Sequence, residues 1–269
     1  MPEHEFKGQV VLVTGGARGI GLTIAQSFAR RQARTVIADI DAESGRRSAA
    51  VLTESGYDCS LLPVNLSQAG APQRMIKDVV KQHGRIDILV NNARSGSRVT
   101  ALAEDESSWH ETMSVTLQAA FFASQEAIRH MMREQGGLII NIGSILTSFI
   151  STESPSYHAA KAGLLQITRY FAVFGGKHNI RVNIVSPGFI VQEEHTERFY
   201  GADNAAYRNR AEDAHALPRI GTAQDVAAAV VFLASGAADF ITGQEIVVDG
   251  GLTIQEQSSL ILRASARHE

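Results

Sequence analysis

The chain has 269 residues, 44% of them apolar, with a formal net charge of −3 and a single cysteine, Cys59. This is enough chain to bury one large core. The near-neutral balance gives no reason to expect nucleic acid or an anionic membrane as a partner, and one cysteine excludes an internal disulfide or a cysteine metal cluster.

The first element is Val10-Val11-Leu12-Val13, a β-branched apolar run that reads as a strand buried on both faces. It runs into Thr14-Gly15-Gly16-Ala17-Arg18-Gly19-Ile20-Gly21 and then into a segment of helical period, 22–29. Strand, glycine turn and helix make a phosphate cradle. Gly15 permits the tight turn, Gly19 lets the backbone approach a pyrophosphate, and Gly21 allows close packing of the helix, whose N-terminus supplies N–H donors. The next strand, 35–39, ends in Asp39, eighteen residues after the last glycine and close to where a carboxylate meets an adenosine ribose. A carboxylate there repels a 2′-phosphate and favours NAD. Arg18, a cation in the turn, favours NADP; the carboxylate is given more weight. The structural alternative is that Asp39 or Asp41 caps the following helix.

Further along, the pattern predicts helix 41–55, strand 59–64, helix 71–83, strand 86–91 and a long helix 108–134. Strand 138–142, helix 154–174, strand 181–185, helix 222–234 and strand 245–248 follow. Such alternation predicts an α/β fold, a single-domain doubly wound parallel sheet with helices on both faces and ligands gathered at the carboxyl ends of the strands. No linker or internal repeat divides residues 1–269. The polar, aperiodic stretch 189–217 reads as a substrate loop, and 254–269 as a tail in which Leu260-Ile261-Leu262 docks on a neighbour or frays. The first five residues lack the basic flank and apolar core of an export signal, and no apolar run is long enough to span a membrane, so the chain is expected in the cytoplasm.

Three residues carry the chemistry. Tyr157 and Lys161 lie one helical turn apart on one face, so Lys161 is expected to lower the phenol pKa by favouring its ionised form. Ser144, thirteen residues earlier, is placed to hydrogen-bond the oxygen of a carbonyl or alcohol while Tyr157 moves the proton.

With both ends in place, the chain resembles a short-chain dehydrogenase/reductase over about residues 6 to 253. Asn91-Asn92-Ala93, Asn141-Ile142-Gly143-Ser144, Pro187-Gly188 and Asp249-Gly250-Gly251 are similar to that family's turns in order and spacing. The resemblance implies a nicotinamide cofactor held by Gly15, Arg18, Gly19, Ile20, Gly21, Asp39, Asn65, Leu66, Asn91, Ala93, Tyr157, Lys161, Pro187, Gly188 and Ile190. It implies Tyr157 as acid/base, Lys161 as its activator and ribose contact, and Ser144 as the group orienting substrate. It also implies a homodimer or homotetramer, in which helices 115–128 and 159–174 pair across the interface.

Four positions depart from the family pattern. Thr116 stands where an asparagine usually supports a proton-relay water; its backbone carbonyl is retained, and its hydroxyl can bond back along its own helix. Arg94 replaces a glycine after Asn-Asn-Ala. Asn65 replaces an aspartate, and its amide oxygen can still accept from an adenine amino group. Gln192 replaces a threonine that contacts the nicotinamide carboxamide. Arg94, Arg98 and Gln192 are the substrate-side candidates, and with the charged and aromatic residues 193–200 they suggest a small polar alcohol or ketone such as a sugar, polyol or hydroxy acid. The alternatives are an NADP-dependent reductase of an acyl or aromatic ketone, and an NAD-binding sensor or assembly protein with weakened redox chemistry.

Overall fold

The computed structural model describes residues 5–96, 98–134, 136–256 and 258. Its first half alternates β1 (Val10–Thr14), α1 (Gly19–Ala29), β2 (Arg34–Asp39), α2 (Ala42–Glu54), β3 (Cys59–Pro63), α3 (Ala71–His83) and β4 (Ile88–Asn91). Next come α4 (Glu106–Met113), a π-helical turn (Ser114–Gln118), α5 (Ala119–Met131), β5 (Gly137–Ile142), α6 (Pro155–Gly176) and β6 (Ile180–Pro187). The chain then passes through β7 (Ile190–Val191), α7 (Thr196–Tyr200), α8 (Ala205–Asp213), β8 (Gly221–Thr222), α9 (Ala223–Ala234) and β9 (Glu245–Val248).

Seven strands form one parallel sheet in the order β3-β2-β1-β4-β5-β6-β9, and β7 and β8 form a separate two-stranded pair. Every residue of β1 and β4 is buried, as a sheet covered on both faces requires. One core joins Ile24 and Phe28 of α1 to Val226 and Val230 of α9. A second joins Met75 and Ile76 of α3 to Ala123 and Ala127 of α5 and Phe171 of α6. The sequence order reverses between β1 and β4, and this leaves a crevice above their carboxyl ends where ligands of such sheets bind.

Two segments differ from the sequence reading. The long helix is interrupted by the π-helical turn, which places Thr116 in a wide turn of backbone instead of a regular one. The stretch 189–217 is no bare loop: it holds β7, α7 and α8, and Phe189, Phe199, Tyr200 and Tyr207 form an aromatic cluster packed mostly edge to face. Aromatics set at irregular spacing in short helices leave little periodicity to detect. The residues Leu260-Ile261-Leu262 lie outside the described residues.

Candidate active site

The glycine turn opens onto the amino end of α1. Arg18, at the cap, is extended and caps with no side chain, so the first-turn N–H groups lack an intrahelical partner. Gly15 and Gly19 adopt left-handed backbone, with φ of 62° and 56°. A Cβ on Gly21 would lie 2.1 Å from the carbonyl oxygen of Gly15, which makes glycine obligatory there. Asp39 stands beside the turn, its carboxylate accepting from the N–H of Ala17 and of Asp41, each at 3.0 Å. Asp41, not Asp39, caps α2, accepting from Ser44 N–H at 2.9 Å. Asp41 thus takes the capping role, and Asp39 braces the glycine turn through Ala17. Arg18 is exposed and Ile20 packs against the core. A bare helix N-terminus, a glycine surface that a side chain would obstruct and an adjacent strand-end carboxylate fit a dinucleotide.

Other expected cofactor contacts are differently engaged. The Asn65 amide oxygen accepts from the N–H and hydroxyl of Ser67, at 3.0 and 2.7 Å, so the acceptor read as free for adenine is already occupied. Leu66 is buried with Met75 and Ile76. The side chain of Asn91 turns into the interior, donating to Ser124 Oγ at 3.0 Å and Asn141 Oδ1 at 2.8 Å, while Asn141 donates to Thr168 Oγ1 at 2.8 Å. This buried chain fastens β4, β5, α5 and α6 together. Its neighbour Asn92, part of the Asn-Asn-Ala motif but not among the expected cofactor contacts, donates to the carbonyls of Thr14 and Gly15 at 3.0 and 2.9 Å. Strand alternation offers the signal: of two successive residues, one faces in and the other out. Thr14 Oγ1 accepts from the N–H groups of Asn92 and Ala93, binding this turn to the glycine turn.

Ser144 follows β5, and Tyr157 and Lys161 lie in the first two turns of α6. That helix is firmly started. Pro155 occupies its first turn, Ser154 caps it through Tyr157 N–H at 3.3 Å, and the Glu104 carboxylate accepts from both the N–H and the hydroxyl of Ser156. Glu104 carried no sequence signal, because its partner lies 52 residues away. His158 is structural, bonding the Ser154 carbonyl through Nδ1 and accepting from Ser151 N–H through Nε2.

The electrostatics of the protein without cofactor differ from one expectation. Lys161 is fully buried, and its Nζ donates to the Ile142 carbonyl at 2.6 Å. Burial, helped by repulsion from Arg94, pushes its pKa down to about 7. Burial also pushes the Tyr157 phenol above its ordinary value, and the Arg94 guanidinium is the strongest group pulling it back; a hydrogen bond with Ser144 adds to that pull, while Glu153 opposes it. Arg94 Cζ lies 5.6 Å from the Tyr157 ring centroid and Lys161 Nζ 5.5 Å from it. In the protein alone, the cation acting on the phenol is Arg94, because Lys161 is desolvated and aimed at the sheet end.

Thr116 does not bond back along its helix. Its hydroxyl accepts from Ser95 N–H and donates to Ser95 C=O, both at 3.1 Å. Arg98 is exposed and pairs with Glu153 at 3.0 Å, so its guanidinium is already engaged. Gln192 reaches the glycine turn instead of the Arg94 side, its amide oxygen lying 2.0 Å from where a Cβ of Gly19 would be. Pro187 is buried at the end of β6. Gly188 packs on Asp249, leaving no room for a side chain, and Ile190 pairs β7 with β8. Asp249 accepts from Gly251 N–H and from the N–H and hydroxyl of Thr253, which holds the C-terminal turn against Gly188.

Comparison with known proteins is consistent along the whole sheet. The family described as Enoyl-(Acyl carrier protein) reductase matches residues 15–253. The 3-oxoacyl-(acyl-carrier-protein) reductase FabG of Chlamydia pneumoniae is 36% identical over 248 residues, covering 91% of this chain and 97% of that protein. The probable galactose dehydrogenase GalD of Rhizobium meliloti is 34% identical over 256 residues, covering 94% and 99%. Among solved structures, a gluconate 5-dehydrogenase from Burkholderia cenocepacia, in complex with NADP and tartrate, superposes with a TM-score of 0.85 at 30% identity, covering 94% and 98%.

Proposed function

From a chain that belongs to the short-chain dehydrogenase/reductase family, and so is an oxidoreductase using a nicotinamide cofactor, we infer reversible hydride transfer on a secondary alcohol or ketone, with NAD preferred. The observation that carries the inference is the approach of the Lys161 ammonium to the Tyr157 ring, 5.5 Å from its centroid, in the first two turns of the helix that follows β5 and Ser144.

Bound there, the nicotinamide supplies or accepts the hydride. The chain's own residues handle the oxygen and the proton. Ser144 Oγ donates to the substrate oxygen and fixes its distance from Tyr157. In the oxidative direction the ionised Tyr157 oxygen takes the carbinol proton as the C–H bond breaks and the carbonyl forms; in reduction the neutral phenol returns it. Burial holds the phenol neutral in the protein alone, and the Arg94 field lowers the cost of ionising it. Lys161, one turn on, spends one of its three donors on the Ile142 carbonyl and would offer another to the nicotinamide ribose.

The preference for NAD rests on Asp39, whose carboxylate lies against the glycine turn, where a 2′-phosphate would meet like charge. A small polar substrate, a sugar, polyol or hydroxy acid, is supported by the charged groups at the rim and by the sugar-type names among the relatives. No described helix is long and apolar enough to cross a membrane, and we place the enzyme in the cytoplasm. We read it as a homodimer or homotetramer. The support is Tyr170, Val173 and Phe174, large apolar side chains left exposed on α6.

Kinetics with each cofactor over a panel of sugars, polyols and hydroxy acids test the reading. Wild type is expected to favour NAD by tenfold or more in kcat/KM, and Asp39→Ala to narrow that ratio. A wild-type preference for NADP would instead assign Arg18 the deciding role at the ribose.

A further inference from the structure

The segment after β4 is built to hold one charge over the catalytic phenol. Ser95 is fixed at three points: its N–H and C=O both bond Thr116 Oγ1, and its own hydroxyl donates to Glu111 at 3.0 Å. Gly96 lies against the Tyr157 ring, where an added Cβ would come within 3.2 Å of it. Arg94, immediately before this clamp, therefore has its backbone fixed and its guanidinium 5.6 Å from the ring centroid.

The charges around Arg94 are already disposed of. Glu153 is paired with Arg98, Glu111 takes the Ser95 hydroxyl, and Glu104 is bound at the start of α6. Lys161, the other cation beside the ring, is buried on the Ile142 carbonyl. Arg94 is exposed, and no ion pair to it is formed among the described residues. A guanidinium presents a planar fork of donors that matches a carboxylate in a bidentate pair. An exposed arginine next to a clamped backbone, over the Tyr157 ring and without an ion pair among the described residues, is suited to reading an anion.

We propose that Arg94, held by the Thr116–Ser95 clamp, selects a substrate bearing a carboxylate close to the reacting carbinol or carbonyl carbon, that is, a hydroxy acid or keto acid in preference to a neutral sugar or alcohol. This rests on the hydride-transfer reading above and narrows its substrate class. The carboxylate docks on the guanidinium, and the neighbouring oxygen is thereby delivered to Ser144 and Tyr157. Arg94 is a specificity-determining residue, and Thr116 a positioning residue acting through it.

The test compares matched pairs, each hydroxy acid against its own amide, in wild type, Arg94→Gln and Arg94→Lys, alongside thermal-shift titration of wild type and Arg94→Gln with malonate as an unreactive dicarboxylate. The expected result is a wild-type preference of at least tenfold for the acid, carried in KM. It should collapse in Arg94→Gln and be partly restored in Arg94→Lys, and malonate should stabilise wild type but not Arg94→Gln. The proposal is overturned if acid and amide lose activity by the same factor, or if wild type does not prefer the acid. Absence of turnover on every alcohol and ketone would defeat the hydride-transfer reading instead. In that case malonate binding that depends on Arg94 would still uphold the anion site, and binding indifferent to the substitution would sink it.

Discussion

Thr116 grips Ser95 by both polar groups of its backbone, accepting from the N–H and donating to the C=O at 3.1 Å each. The contact crosses 21 residues of sequence and sets the course of the turn that carries Arg94. At this position the chain has a fastener for the strap lying over Tyr157.

Thr116→Val keeps the shape and deletes both hydrogen bonds. Thr116 is buried and Ser95 half-buried, so losing both bonds is expected to cost about 1–3 kcal/mol of unfolding free energy. With Arg94 loosened, KM should rise more than kcat falls. Urea unfolding together with steady-state kinetics checks both, and an unchanged KM at reduced stability would confine Thr116 to a structural role.

The burial of Lys161 gives the fold a pH dependence of definite sign. Its folded pKa, about 7, lies below its ordinary value of 10.5, so the fold disfavours the proton. Below about pH 7 both folded and unfolded chains carry that proton and the penalty is present in full. Between about pH 7 and 10.5 the unfolded chain binds more protons, so this contribution to stability rises with pH, by at most about 1.4 kcal/mol per pH unit. Relative to Lys161→Met, the wild-type Tm should climb from pH 7 to 9 in the protein without cofactor. Parallel profiles would show that the lysine is not desolvated.

Asn141→Ala should damage the core more than the surface position of the site would suggest. It removes the acceptor for Asn91 and the donor to Thr168, inside a network that is wholly buried. A loss of ~2–3 kcal/mol is expected from the two buried hydrogen bonds removed and the space left behind, although Asn91 keeps its bond to Ser124. Denaturant unfolding reads it directly, and a change below about 0.5 kcal/mol would show that the network carries no stability.

Much of this was legible beforehand, for identifiable reasons. The seven strands of the main sheet coincide with apolar or β-branched runs, and the glycine turn sits between the first of them and its helix, so local pattern placed Gly15, Gly19, Gly21 and Asp39 correctly beside one another. The approach of Ser144 to Tyr157 followed from a family likeness. What escaped depends on tertiary placement. That Lys161 faces the Ile142 carbonyl while Arg94 acts on the phenol is set by burial and by a clamp between distant segments, and neither is written in spacing. The π-helical turn moves Thr116 off the face that a regular helix gives it. The helices α7 and α8 are held by an aromatic cluster whose members follow no fixed period.

The most direct measurement is NAD reduction, followed spectroscopically over a panel of hydroxy acids and polyols, in wild type and Tyr157→Phe, with cofactor affinity titrated in both. The variant should bind cofactor as wild type does while turnover falls by about 10²–10⁴ on the best substrate, because only the proton carrier has been removed. Turnover retained in Tyr157→Phe, with cofactor bound normally, would contradict the assignment of the proton transfer to this phenol.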